Sequence, residues 1–453
     1  MTEPAARKRS KRTQNPNTGE IRRNISERIG LRGFGLRGCG VVALALSLLS
    51  FFYCAPREDW IFYRGKNGSG YTPNTLRPPL GRRWLFRLQE KSKPAKTFNP
   101  PLVRGDTLYF GSSDKNFYAF DVNSGYRLWS FPTKAPINSI PFVDEKNAYF
   151  GSNDGKVYAV SREDGKKAWE FDTKKTVQSL VLRYQDMVIF TSDAGRTYFL
   201  DKEGKKLHSI PNPHWRHHSF QVHKDIMFWV PKGHDFAPYD VKKRRYLGWK
   251  ETLPRDRLWH WYSFPALDDA RIYYGSSGYL PRESDPMQAA QLPRLTFKAR
   301  RIRDGQTLWK TEEKFEPGKN FVVSSKNVFL RYIHLLDYMA PALWRNLVIY
   351  SSGDTVLRAF DRESGKKVWR RKFPNVLSSA PTVAGNRIYL GIRGDEDGMG
   401  EKKPRLLCLS AKDGRVLWDM EVEGVILSAP VISGNRLMFG TSKYLFYVLE
   451  EIF

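Results

Sequence analysis

The chain has 453 residues, 41% of them hydrophobic and 14% aromatic, and a formal net charge of +28. That apolar content excludes a wholly disordered chain. Three cysteines, Cys39, Cys54 and Cys408, give no disulfide framework, and so the compartment cannot be read from them.

Residues 1–37 hold ten Lys/Arg against three Glu and almost no apolar periodicity, which predicts a disordered basic tail. Residues 38–54, GCGVVALALSLLSFFYC, are apolar and uncharged, at the short limit of a membrane span. Three readings stand: a retained signal anchor, which we favour, a cleaved signal peptide, and lipidation at Cys54. The bulky Phe51, Phe52 and Tyr53 argue against the last. Positive charge before the segment leaves the tail in the cytoplasm and the remainder outside it. Residues 55–81 are rich in Gly, Pro and Asn and are expected to be an extended linker leading into the next domain.

From residue 82 onward one pattern repeats. GSSDKNFYAFDVNSGYRLW at 111–129 reads as turn, strand, turn, strand, with Gly125 supplying the positive φ of the second turn. It returns at 151–169, 299–309, 359–369 and 408–418. The marker at its end falls at Trp84, Trp129, Trp169, His208, Trp249, Trp309, Trp369 and Trp418. The spacing suits one four-stranded propeller blade, with insertions in some blades. An inner strand opening on Pro101, Pro141, Pro265, Pro341, Pro381 or Pro430 precedes most markers. Trp84 has no inner strands before it, and residues 427–449 have no marker after them. Both ends are therefore expected to share one blade, which closes the ring and removes the open edges. The predicted fold is an all-β, eight-bladed propeller of four-stranded antiparallel blades spanning residues 82–453.

The opening Asp59-Trp60…Arg64-Gly65, followed by Ala-x-Asp-x-x-x-Gly-x-x-x-Trp repeats, resembles the pyrroloquinoline-quinone-like (PQQ-like) propeller superfamily. Ala119, Asp121, Gly125 and Trp129 match its tryptophan-docking motif, as do Ala359, Asp361, Gly365 and Trp369. Ala159, Gly165 and Trp169 match with Ser161 in place of Asp, and Cys408 replaces Ala ahead of Trp418. Blade 3 has His208 for its Trp, and blade 4, around Tyr239–Trp249, is degenerate. Physically, the Trp in each outer strand, including Trp84 and Trp309, is expected to cover the neighbouring blade. The Gly keeps the turn tight, and the Ala leaves space on the facing sheet.

Quinone-dependent dehydrogenases share this ring, and the resemblance implies for them an adjacent Cys-Cys pair, calcium ligands and a catalytic Asp. No two cysteines here are adjacent, and no other residues match those positions. Nucleophile-elbow, phosphate-loop and zinc-protease motifs are absent. Asp395, Glu396 and Asp397 lack the spacing of an ordered calcium loop and read as a solvated tip. The chain is closer to the non-catalytic, barrel-assembly (BamB-like) branch. That branch implies a scaffold in the bacterial envelope with no cofactor and no enzymatic activity.

Seven of the eight histidines lie between His208 and His260. His217 and His218 precede one inner strand, and Trp259, His260 and Trp261 precede the next. They form the candidate binding face, flanked by insertions at 279–295 and 315–337. Residues 38–453 carry +21 of the net charge. That field favours an acidic protein face, anionic lipid or a cell-wall polymer, and export argues against nucleic acid.

Overall fold

The computed structural model describes residues 59–88, 98–212, 220–229, 236–252, 260–262, 264–278, 294–314, 316, 339–394 and 403–452. The basic tail, the apolar segment and the tip at 395–397 lie outside them. Among the described residues no helix is long and apolar enough to cross a membrane.

Eight antiparallel sheets form the eight blades of the propeller. Blade 1 runs through Leu102–Arg104, Thr107–Gly111, Asn116–Asp121 and Arg127–Pro132, from the channel outward. Blades 2 to 7 follow the same order, and the outer strands end at Asp172, Pro211, Tyr246, Lys314, Lys372 and Glu421. Blade 8 joins the two ends of the ring. Its inner strands are Val431–Ser433, Arg436–Gly440 and Leu445–Glu451, and its outer strand is Leu80–Arg87. Trp84 pairs with Val448, as the unpartnered marker required.

The second and third strands of each complete blade are buried runs such as Phe117 to Phe120 and Val157 to Val160, because sheets cover both of their faces. The outer strands alternate or stay exposed, with Leu128 facing solvent. Register shifts fall beside the marker in the outer strands carrying Trp84, Trp129, Trp169, His208, Trp309, Trp369 and Trp418. Such a bulge re-aims one side chain out of the ladder, here toward the next blade.

The docking motif works between blades. The Trp129 indole N–H donates to the Arg162 carbonyl of blade 2 at 2.9 Å, and Trp309 donates to Arg362 of blade 6 at 2.9 Å. Trp84, Trp169, Trp249 and Trp369 do the same to Val122, Lys202, Ile302 and Ala411. Each ring lies on the turn glycine of its neighbour. A Cβ on Gly165 would sit 2.7 Å from Trp129, and one on Gly365 would sit 2.6 Å from Trp309. Asp361 holds its turn by accepting from the Glu363 and Ser364 N–H groups at 3.1 and 2.8 Å. The N–H and hydroxyl of Ser364 keep the Asp361 carboxyl below its usual range.

The alanine differs from expectation. Ala119 pairs with Trp129, Ala359 with Trp369, and Cys408 with Trp418, all within one sheet. The small residue clears its own blade's ring on the way to the neighbour, so the space it leaves is not on the facing sheet. Blade 4 is thin, as its sequence implied, with outer strands of two residues each. Trp249, beyond its last strand, still docks on Gly305.

Candidate functional site

Tight turns between first and second strands, and between third and fourth, lie at one end of the ring. Connections between second and third strands, and from each outer strand to the next blade, lie at the other. We call these the turn end and the loop end.

The segment expected to be a linker fills the channel from the turn end. Asp59 accepts from the Gly105 N–H at 2.9 Å, and Trp60 exchanges backbone hydrogen bonds of 2.8 and 2.9 Å with Val103. The chain then reverses through Gly65, Gly68 and Gly70, all with φ between 62° and 66°, around a short 3-10 turn at Lys66–Gly68. These glycines are required. A Cβ on Gly70 would meet Arg64 Nη2 at 2.0 Å, and one on Gly68 would meet Gln221 Nε2 at 1.7 Å. The return limb adds Tyr71–Thr72 as a parallel strand beside Val383 and Ala384 of blade 7.

At the tip, Tyr63 and Arg64 are each 1% exposed. Tyr63 packs edge-on against Phe264, with ring centroids 4.9 Å apart. It sits in one apolar cluster with Ile140, Leu180, Phe220, Ala340, Ala380 and Ala429, the residues at the head of the inner strands around the ring. The Arg64 guanidinium donates to the carbonyls of Pro341 and Pro381 and to the Thr382 hydroxyl. Burial lowers its pKa to about 10, against the opposing pull of Tyr63, so it stays charged at neutral pH. The prolines visible in the sequence thus supply the acceptors that hold the plug. No motif in the sequence assigns Tyr63 or Arg64 this place. The available signals are the Asp59-Trp60…Arg64-Gly65 opening, which carries no hint of its place, and the three glycines Gly65, Gly68 and Gly70.

Of the predicted binding face, His217, His218 and Trp259 lie outside the described residues. His260 and Trp261 lie on the short strand His260–Tyr262, paired with the loop-end half of Arg271–Gly278. The strands that bracket 279–293 and 317–338 also end there. Among the described residues no group of three or more His, Cys, Asp or Glu is placed to hold a metal ion.

The turn end offers a second surface. A cleft of about 640 Å³ opens between blades 6 and 7, lined by Tyr71, Thr75, Arg77, Trp344, Arg345, Gly385, Asn386 and Arg387.

Among known proteins, the family model described as outer membrane protein assembly factor BamB matches residues 118–222, 296–397 and 353–451, more than half of the chain. The chain belongs to the BamB family. No curated protein matches it in sequence. Of solved structures, BamB from Moraxella catarrhalis is similar at 16% identity, over 82% of this chain and 99% of that one, with a TM-score of 0.58. A quinohemoprotein alcohol dehydrogenase from Pseudomonas putida is similar at 12% identity, over 86% and 80%, with a TM-score of 0.61. A computationally designed protein reaches 13% identity and a TM-score of 0.58, over 80% and 98%. At these identities the likeness to each structure is one of fold, and membership of the BamB family rests on the family model.

Proposed function

We propose that this propeller is a non-catalytic, protein-binding scaffold in bacterial envelope or outer-membrane protein assembly. In this reading residues 38–54 hold it to the cytoplasmic membrane and the ring lies in the periplasm. The match to the BamB family model carries the reading. The plug agrees with it: a ring whose channel tip is filled by its own Tyr63 and Arg64 leaves its ends and rim as working surfaces. The loop end, with His260 and Trp261, is the surface proposed for the partner, since aromatic residues at a rim are frequent anchors at interfaces. A net charge of +21 beyond residue 37 adds attraction for an acidic partner, anionic lipid or cell-wall polymer.

Crosslinking in intact cells followed by pull-down tests this. The expected result is a defined envelope protein joined to the propeller. An export-dependent reporter fused after Phe453 should be active, and a reporter active only in the cytoplasm would overturn the topology. A second reading, a quinone-dependent oxidoreductase, draws on the fold shared with the alcohol dehydrogenase. An absorbance spectrum of the purified protein separates the two, because a bound quinone absorbs where protein does not.

A further inference from the structure

The cleft at the turn end of blades 6 and 7 brings together three guanidiniums from three separate parts of the chain. Arg77 follows the plug, Arg345 sits at the tip of the first turn of blade 6, and Arg387 opens the second strand of blade 7. Several arginines elsewhere on the ring have carboxylate partners: Arg83 with Glu450, Arg271 with Glu363, and Arg405 with Glu421. Among the described residues none of the three cleft arginines has a carboxylate within ion-pair distance of its guanidinium. The acid beside them, Glu451, is engaged by the Arg77 backbone N–H at 2.7 Å.

The cleft is also built. Trp344 is 8% exposed and donates its indole N–H to the Gly385 carbonyl at 2.7 Å, which fixes the ring between the two blades. The Arg345 guanidinium stands over that ring, 4.9 Å from its centroid. Stacking of this kind leaves the edge of the fork free to donate. Arg387 donates Nη1–H to Asn386 Oδ1 at 3.0 Å, while its buried Nε–H has no acceptor. The Arg387 Nη1 contact lies at the exposed end of the fork, where a bound oxyanion can compete for the N–H groups. The volume, about 640 Å³, falls among cavities that hold small molecules.

We propose that this cleft binds a small anionic ligand through phosphate or carboxylate oxygens. Guanidinium forks match both groups in two-point geometry. The site is separate from the partner surface proposed at the loop end. Since Tyr71 lies on the plug's return limb and Arg77 just beyond it, a bound anion would also tie that segment to blades 6 and 7.

Calorimetric titration of the full chain at low salt tests this, with pyrophosphate as the phosphate probe and citrate as the carboxylate probe. At least one should bind at a single saturable site. Arg387→Gln should weaken it about ten-fold or more, as should Arg345→Asn, which keeps a residue tolerant of the left-handed φ of 51° found there. Arg127→Gln, on the exposed outer strand of blade 1, should change nothing. Melting curves check that each variant folds, and Arg77→Gln, on an exposed side chain, carries the test if Arg387→Gln does not. Absence of saturable binding by both anions would overturn the proposal, as would binding that all three cleft variants leave intact. Binding of a hexaglutamate peptide without either small anion would also overturn it, by assigning the cleft to an acidic chain.

Discussion

The guanidinium of Arg64 donates to the carbonyl of Pro381 at 2.6 Å, across 317 positions of sequence. A second donation reaches Pro341 at 3.1 Å. One buried cation therefore fastens the start of the folded chain to the inner strands of blades 6 and 7. Its charge is balanced by backbone carbonyls and a hydroxyl, so each acceptor matters more than in a carboxylate pair.

Replacing Arg64 by Ala leaves two buried carbonyls without these donors and opens a void at the channel tip. Each orphaned group costs roughly 1–3 kcal/mol, so Arg64→Ala should destabilise the propeller by about 3 kcal/mol in urea unfolding. A change below about 0.5 kcal/mol would mean that the plug is not held by this residue.

Gly165 tests the docking motif. An added methyl would meet the Trp129 ring at 2.7 Å, and the backbone φ of 69° is unfavourable for Ala. Left-handed strain of about 1–2 kcal/mol adds to an overpacking cost of about 1–3 kcal/mol. Gly165→Ala should therefore cost about 3 kcal/mol, and less in a Trp129→Ala background. Equal cost in both backgrounds would show that the glycine serves only its own turn.

His208 occupies a tryptophan position in a junction altered at three places. Phe199 stands where blades 1, 2, 5 and 6 have Ala and stacks on His208 with centroids 4.2 Å apart. Arg244, at φ 54°, stands where the facing turn has Gly elsewhere. Burial and then Arg244 lower the His208 pKa below 6.5. The unfolded chain therefore takes up a proton first as pH falls, and stability drops from about pH 6.5 downward until the folded histidine also titrates. His223, lowered chiefly by burial, acts with the same sign. His208→Phe should make the decline between pH 7 and pH 5 shallower. A pH profile unchanged by the substitution would place no titration at this junction.

The repeats make the ring legible in the amino-acid sequence, because Asp, Gly and Trp at fixed spacing each meet a local demand of a turn or a bulge. The closing pair, Trp84 with Val448, is legible as a strand without neighbours. The plug is not. Its glycines suggest an extended linker, and only the fold, with no room for a Cβ at Gly68 or Gly70 and with Arg64 bonded to Pro341 and Pro381, reveals a chain packed into a narrow space. Clefts assembled from Arg77, Arg345 and Arg387 leave no local pattern, since each belongs to an ordinary turn or strand start.

Ring closure makes a further demand. Removing residues 427–453 strips blade 8 of three strands and leaves Leu80–Arg87 unpaired. The truncated chain should lose its cooperative melt or unfold well below the full-length protein. An unchanged, cooperative transition in circular dichroism would show that blade 8 contributes nothing to the ring.

The claim that this protein acts by binding through the loop end is tested most directly by Trp259→Ala combined with Trp261→Ala. The measurement is partner capture by crosslinking in intact cells, alongside the melting temperature of the purified variant. The account predicts that the crosslinked partner disappears while the melting temperature shifts only slightly. A large fall in stability, with capture intact in the protein that still folds, would assign both residues to packing and contradict the account.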